Sequence, residues 1–506
     1  MKLTLKLTFL TLLFALTITF ITAQKPKQKA KPTSRAKPRA TPKPTPKTED
    51  FEDLFNFVFE DPPASNETGK NVSDGDRKKA EEFFKKGQAF WKELEIDDAI
   101  DSHTKALEIY PNYADAVRER GKIYFMIGRY KEAAPDLTAF LKLQPVNTEI
   151  MYYRALTYSA LAEEILDAET ERQPAEGYAE KSLNDFNKVL ELEPKNSMFL
   201  NGRGRLYLNF QLYKEAIADL EKSISLDNKY SVAYNNLGLA KFYSGADLGL
   251  TEFDKSIEIY NGYAETYFNR ANVYRSIGSY DKAITDFNQA IKLHGTRAAY
   301  YNARGMAYFA KGDGIAAVKD FSNAIGQKRD YARAYYNRAY TYKKFPASAS
   351  DEETPTAGGS IVAQIDKMKQ DLDSAIRYNP IFADAYIERG KYVMGWLGIP
   401  INGYSAEDLV KIRAALADFD KAVKLSPNSA EAFEGRASCN DSLGKKDLAL
   451  ADYNKAIELD PDLATAYMGR MGIYCEMGEK ELSIIDEKKI KALGYAAINV
   501  CSLKGR

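Results

Sequence analysis

The chain has 506 residues, with 71 Lys and Arg against 71 Asp and Glu, two histidines and three cysteines. An odd set of cysteines without framework spacing excludes a disulfide-stapled scaffold, and two isolated histidines leave little material for acid–base catalysis. The neutral average hides an asymmetry: two basic residues fall in the first 23 and nine between Lys25 and Lys47, leaving 60 basic against 71 acidic residues and a body of about −11.

Lys2 and Lys6 precede an apolar, threonine-dotted run from Leu7 to Ile21 that ends in Thr22 and Ala23, the layout of a secretory signal with a small residue at its cleavage point. Residues 1–23 are therefore read as a signal peptide and Gln24 as the mature start, with export to a periplasm or the exterior expected. Two competing readings stay open. Leu3 to Ala23 is long enough to remain as a membrane anchor, and the basic residues that follow favour the opposite topology under the positive-inside bias. Residues 24–50 are a basic, Pro-rich linker of the composition that forms a disordered, semi-rigid spacer. It is either a solvated spacer or an arm that touches an anionic membrane or envelope surface.

In residues 51–79, Phe51, Leu54, Phe55, Val58 and Phe59 recur at helical spacing, so a short amphipathic helix is expected, stopped by Pro62 and Pro63. Such a helix is marginal alone and needs a docking surface on the first repeat or on a partner. Asn66 and Asn71 open glycosylation acceptor triplets.

The body repeats itself. YFNRANVY (Tyr267 to Tyr274), YNARGMAY (Tyr301 to Tyr308) and YYNRAYTY (Tyr335 to Tyr342) lie 34 residues apart. In that frame, units start at Ala80, Ala114, Thr148, Ser197, Ser231, Ala264, Ala298, Ala332, Ala383, Ala430 and Ala464. A self-similarity of this period marks a two-helix solenoid repeat. Counting each start as place 1, a large residue stands at place 4 (Tyr267, Tyr301, Tyr335) and a small one at place 8 (Gly121, Gly305) and near place 20 (Ala133, Ala317). Small residues on both helices let the backbones cross closely. Proline often stands at place 32 (Pro111, Pro145, Pro194, Pro380, Pro427, Pro461) and ends the second helix.

Written out as VRERGKIYFMIGRYKEAAPDLTAFLKLQP and FEGRASCNDSLGKKDLALADYNKAIELDP, the pattern resembles the tetratricopeptide repeat family over Ala80 to Leu493. The resemblance implies a right-handed, superhelical all-α solenoid of about eleven helix-turn-helix repeats (residues 80–493) with a C-terminal cap (494–506), and a concave groove lined by the first helices.

Place 7 is Arg in nine units and place 23 is Asp in nine, and the two units lacking one lack the other: Lys86 with Ser102, and Leu237 with Glu252. A ladder of ion pairs is expected, with Arg270 and Asp286, Arg304 and Asp320, and Arg338 as members; the alternative is an arginine stripe gripping an anion. Asparagine crowds the first helices of units four to eight, at Asn201, Asn235, Asn236, Asn269, Asn272, Asn302 and Asn337. Asn is an indifferent helix former, so the row calls for a reason. An amide offers donor and acceptor alike, which suits holding the backbone of a peptide. By resemblance, place 6 is a groove position; Asn236, Asn269 and Asn337 occupy it and Asn302 stands one residue away. The competing reading has these amides capping loops or facing solvent.

Insertions break the period near 159–177, 343–363 and 394–410, each between the helices of a unit, so they are expected to decorate one edge. Trp396, Leu397 and Ile399 in the third either lengthen the local core or form a docking patch. His103 falls at a packing place and His294 at a helix end, and Cys439 and Cys475 read as buried thiols rather than a disulfide. With no phosphate loop, zincin helix or paired-cysteine spacing, a non-catalytic scaffold that binds a protein or peptide is expected, without cofactor, metal or nucleic acid. The alternative is a self-associating envelope element that uses the Phe51–Phe59 helix.

Overall fold

The computed structural model describes residues 72–167, 172–345, 360–397 and 404–496. The signal, the basic linker, the Phe51–Phe59 helix, Asn66, Asn71, most of the second insertion, the Trp396 side chain, Ile399 and Cys501 lie outside them. The chain divides into two compact units, residues 1–273 and 274–506, with the division inside one helix.

Among the described residues there are 22 helices and no strand. The first unit pairs α1 (Asp74–Lys92) with α2 (Ile96–Ile109), α3 (Ala114–Met126) with α4 (Tyr130–Leu143), α5 (Thr148–Asp167) with α6 (Arg172–Leu192), α7 (Ser197–Asn209) with α8 (Tyr213–Leu226), and α9 (Ser231–Ser244) with α10 (Leu250–Ile259). Helix α11 (Ala264–Ser276) carries the division and α12 (Tyr280–Leu293) follows it. The second unit then pairs α13 (Ala298–Lys311) with α14 (Gly314–Gln327), α15 (Ala332–Lys344) with α16 (Ser360–Tyr378), α17 (Ala383–Leu397) with α18 (Ala406–Leu425), α19 (Ala430–Ser442) with α20 (Lys446–Leu459), and α21 (Ala464–Met477) with α22 (Lys480–Ala492). Each unit is an all-α array of helical hairpins.

Local chemistry sets the helix ends. After six first helices the chain turns at place 15 with positive φ on glycine (128, 245, 278, 312, 444, 478), and Leu94 and Gln211 take the same conformation at the same place without glycine's freedom. All six place-32 prolines follow a second helix by two residues, because proline offers no N–H and biases its predecessor away from helix.

Packing within a hairpin rests on places 8 and 24. A Cβ at Gly305 would lie 2.8 Å from the Phe321 ring, so the first helix needs glycine or alanine where that ring seats. Phe186, Phe253, Phe287, Phe321 and Phe419 repeat the place-24 ring, all essentially fully buried, and each contributes about 2–3 kcal/mol of apolar burial. The first repeat has His103 there, against Gly87 and Phe84.

The arginines bind in two directions. Arg304 donates from Nε and Nη2 to Asp320 in its own repeat, each at 2.7 Å, and from Nη1 to Asn288 of the preceding repeat at 2.6 Å. The same fork onto the repeat's own Asp occurs at Arg120, Arg154, Arg203, Arg338, Arg389, Arg436 and Arg470. The third arm reaches a short polar residue at place 25 of the repeat before, such as Thr104, Asn187, Ser322 or Asp373. Arg270 lies in the first unit and makes that arm to Asp254; Asp286, in the second unit, is buried. A guanidinium with a bidentate and a lateral arm leaves no room for an anion-gripping stripe.

Four features refine the expected frame. Helix α1 starts at Asp74, six residues before the frame, because the Ser73 hydroxyl caps the Asp76 N–H. The insertion after Tyr158 lengthens both helices of its hairpin, to 20 and 21 residues. Leu397 of the third insertion packs against the Phe419 cluster, and α18 opens with a Ser405–Asp408 capping box. Cys439 is a buried free thiol, whereas Cys475 is disulfide-bonded.

Two outcomes follow from this packing. Arg304→Ala leaves Asp320, 2% exposed, as an unpaired buried carboxylate, and should cost about 3 kcal/mol in urea unfolding, against about 1 kcal/mol for Asn288→Ala. Burial, with Arg120 assisting and Glu119 opposing, pushes the His103 imidazole down to about 4 from 6.5. The unfolded chain then takes up the proton first, so stability is full above pH 6.5 and falls toward pH 4, by about 3 kcal/mol. His103→Phe should flatten that stretch of a melting-temperature profile.

Candidate functional site

In the first unit the first helices of successive repeats lie side by side, α3 on α5, α5 on α7 and α7 on α9. Between α5, α7, α9 and the start of α11 they line a partly open cavity of ≈ 60 Å³, space for roughly four to six waters where each takes about 10–15 Å³. Its lining comes from recurring places. Place 5 supplies Tyr152, Asn201 and Asn235, place 6 supplies Asn236 and Asn269, and place 9 supplies Leu156, Arg205 and Leu239. Tyr213, Tyr243 and Tyr263 add rings and Glu265 a carboxylate.

The asparagines are bonded to one another. Asn269 Nδ2 donates to Asn235 Oδ1 at 3.0 Å, Asn235 Nδ2 to Asn236 Oδ1 at 3.1 Å, and Asn236 Nδ2 to Asn201 Oδ1 at 2.9 Å. Asn201 Nδ2 then donates to the Tyr230 hydroxyl at 3.2 Å. All four amides are buried. A buried primary amide is costly unless paired; here two bonds join neighbouring repeats and one joins Asn235 to Asn236 within a repeat, leaving only Asn269 Oδ1 of these side chains without a partner.

The second unit repeats one rung: Asn337 Nδ2 donates to Asn302 Oδ1 at 2.9 Å. This settles the one-residue offset of Asn302. Every amide bond between repeats runs from place 6 to place 5 of the repeat before, so Asn302 stands where an acceptor belongs. Asn272 does not join the set; its Nδ2 turns back to the Phe268 carbonyl of its own helix at 3.0 Å. Of the seven asparagines singled out in the sequence, four line one cavity, two form a separate pair, and Asn272 lies on neither.

The charged residues of the cavity were not singled out in the sequence. Arg205 lies 3.4 Å from Glu163, a buried carboxylate on α5 that also accepts from Ser159 and Asn209. Burial raises the Glu163 carboxyl above its ordinary range, against the pull of Arg205 and those hydrogen bonds. Collecting places 5, 9 and 13 across all repeats, rather than the asparagines alone, would have found Tyr152, Arg205 and Tyr243. Among the described residues no group of three or more His, Cys, Asp or Glu is placed to hold an ion. Among the same residues no helix is long and apolar enough to cross a membrane.

Comparison with known proteins places the repeats. Tetratricopeptide repeat profiles match residues 264–296, 84–148 with 402–464, and 199–230. The mitochondrial import receptor subunit TOM70 of Rattus norvegicus is 28% identical over 151 residues, 30% of this chain and 23% of its own length. The Hsp70-Hsp90 organizing protein of Triticum aestivum is 24% identical over 231 residues, 34% of this chain and 39% of its own. The chain thus spans about a quarter to two fifths of these relatives. A tetratricopeptide repeat protein from Parabacteroides merdae, solved by crystallography, aligns with a TM-score of 0.44 at 24% identity over 52% of this chain and 99% of that one.

Removing one rung of the amide run should be costly. Asn236→Ala leaves the buried Asn201 Oδ1 and Asn235 Nδ2 without their partners, so denaturant unfolding of the first unit should lose about 2 kcal/mol or more.

Proposed function

The chain belongs to the tetratricopeptide repeat family, and from that premise we propose that it is a non-catalytic interaction scaffold whose first-helix face in residues 148–269 binds a protein partner through a peptide segment. The observation that carries this reading is the cavity itself, a concave, mostly apolar site with a few convergent polar groups placed by four consecutive repeats. Two of the relatives, a mitochondrial import receptor subunit and an Hsp70-Hsp90 organizing protein, support a role in contacting other proteins. The asparagines serve that role indirectly: spent on one another, they fix the spacing of the helices that form the walls.

Exchanging these asparagines for alanine would therefore confuse lost binding with lost packing, and the test uses the apolar lining instead. Leu239→Trp fills the cavity and Tyr243→Ala opens its rim, where Tyr213 and Tyr243 stack at 6.3 Å. In affinity capture from an extract of the source organism, the full chain should retain partners that both variants lose, with all three proteins equally helical by circular dichroism. Identical capture by wild type and both variants would remove the cavity from the binding surface.

A further inference from the structure

At place 21 the second helix of a repeat carries an apolar residue that the next repeat covers. Ile100 clusters with Ile123, Tyr124 and Ile127 of the following first helix, and Val318 with Ala339 and Tyr342. In the last repeat that residue is Ile484, 43% exposed, whereas Ile100 and Ile284 are at 6% and 9%. Leu482 and Ile485, on the same helix α22, are exposed as well. A solenoid end of this kind calls for a cover with a polar outer side.

Charge narrows what the cover can be. In earlier repeats place 25 offers an acceptor to the arginine of the next repeat, as Thr104, Asn288 and Asn454 do. The last repeat has Lys488 in that place. Lys488 and Lys480 are exposed, and neither is in an ion pair among the described residues. An ammonium there repels an arriving arginine, so a further repeat of the usual kind does not fit, and an acidic partner does.

The chain itself carries such a partner. The residues that cover Ile100 stand at places 10, 11 and 14, and the pattern recurs as Leu206, Tyr207 and Phe210 and as Val273, Tyr274 and Ile277. Leu54, Phe55 and Val58 repeat it ahead of the solenoid, LFNFV against IYFMI. In that register the arginine place falls on Phe51, flanked by Asp50 and Glu52, and residues 48–61 hold six acids and no base.

We infer that residues 48–61 of one copy dock on the exposed face of α22 of a second copy, with Leu54, Phe55 and Val58 covering Ile484 and Ile485 and the flanking acids meeting Lys488. A second copy is the source, because eleven repeats of chain separate the segment from α22 and the tether of residues 62–73 spans at most about 40 Å. The contact joins two different patches, so it is heterologous and can propagate. It is independent of the groove reading, since α22 lies outside residues 148–269.

The test divides the contact between two variants of the chain from Gln24. Leu54→Ser with Phe55→Ser disables the segment, and Ile484→Ser with Ile485→Ser disables the face at positions too exposed to unsettle the fold. In analytical ultracentrifugation the wild-type chain should grow in mass with concentration and each variant should stay monomeric. An equal mixture of the two should form a dimer and nothing larger, because it retains one working segment and one working face. Lys488→Glu, added to the segment variant, sets acid against acid and should weaken that mixed dimer about tenfold.

A monomeric wild type, association that survives in either variant, a mixture that stays monomeric, or an unchanged affinity with Lys488→Glu overturns the inference. A monomeric wild type whose face variant melts lower would show that the same chain covers α22, with its own N-terminal segment or its C-terminal tail, and the second copy would be excluded as the source.

Discussion

The three-armed arginine is the interaction on which the rest of this structure depends. Two arms lie flat against an aspartate of the same repeat, which fixes how the two helices of a hairpin meet. The third reaches back to place 25 of the repeat before, which fixes how hairpins stack. Apolar packing alone is tolerant of small rotations, since a ring at place 24 can slide over a glycine or alanine at place 8. A planar guanidinium with three acceptors is not so tolerant, because its donors are rigidly oriented and lysine cannot reproduce them. Burial makes the arrangement consequential: the aspartates are nearly inaccessible, so an unpaired one would be expensive.

On that frame, the asparagine rungs add a second constraint confined to a few repeats. Each rung joins place 6 to place 5 of the neighbour, so the first helices are held at the distance an amide–amide hydrogen bond allows. Where two such rungs run together, joined by the Asn235–Asn236 bond within one repeat, the helices leave a cavity between them; its walls are apolar and its floor is a polarised run of amides. Scaffold and site are in this sense the same set of contacts. Tyr152 and Asn269 fall at the edge of the run, where the regular pairing stops.

Much of this was legible in the sequence, for a physical reason: a solenoid repeat must offer its neighbour the same face each time, so its packing residues recur at fixed spacing. The small residue at place 8, the proline at place 32 and the co-missing Arg and Asp in repeats one and five all announce themselves by recurrence. The third arginine arm was harder to see, because place 25 requires only a short acceptor, and Thr, Asn, Ser and Asp all serve. The stagger of the asparagines was misleading for a related reason. Reading one place at a time makes Asn302 an exception, whereas the bond joins two different places. The insertion after Tyr158 shows in the sequence only as a break in the period, which does not say whether the extra residues form a loop or lengthen the helices.

The most direct measurement of the central claim is amide hydrogen exchange on the full chain and on Arg203→Lys, which keeps the charge but loses the planar fork onto Asp219. If the forks set the spacing of the hairpins, protection should fall in α6, α7 and α8, and in α9 across the amide rungs, while the distant repeats of the second unit exchange as before. Unchanged protection in those helices would mean that apolar packing alone holds the stack and that the arginines merely fill it.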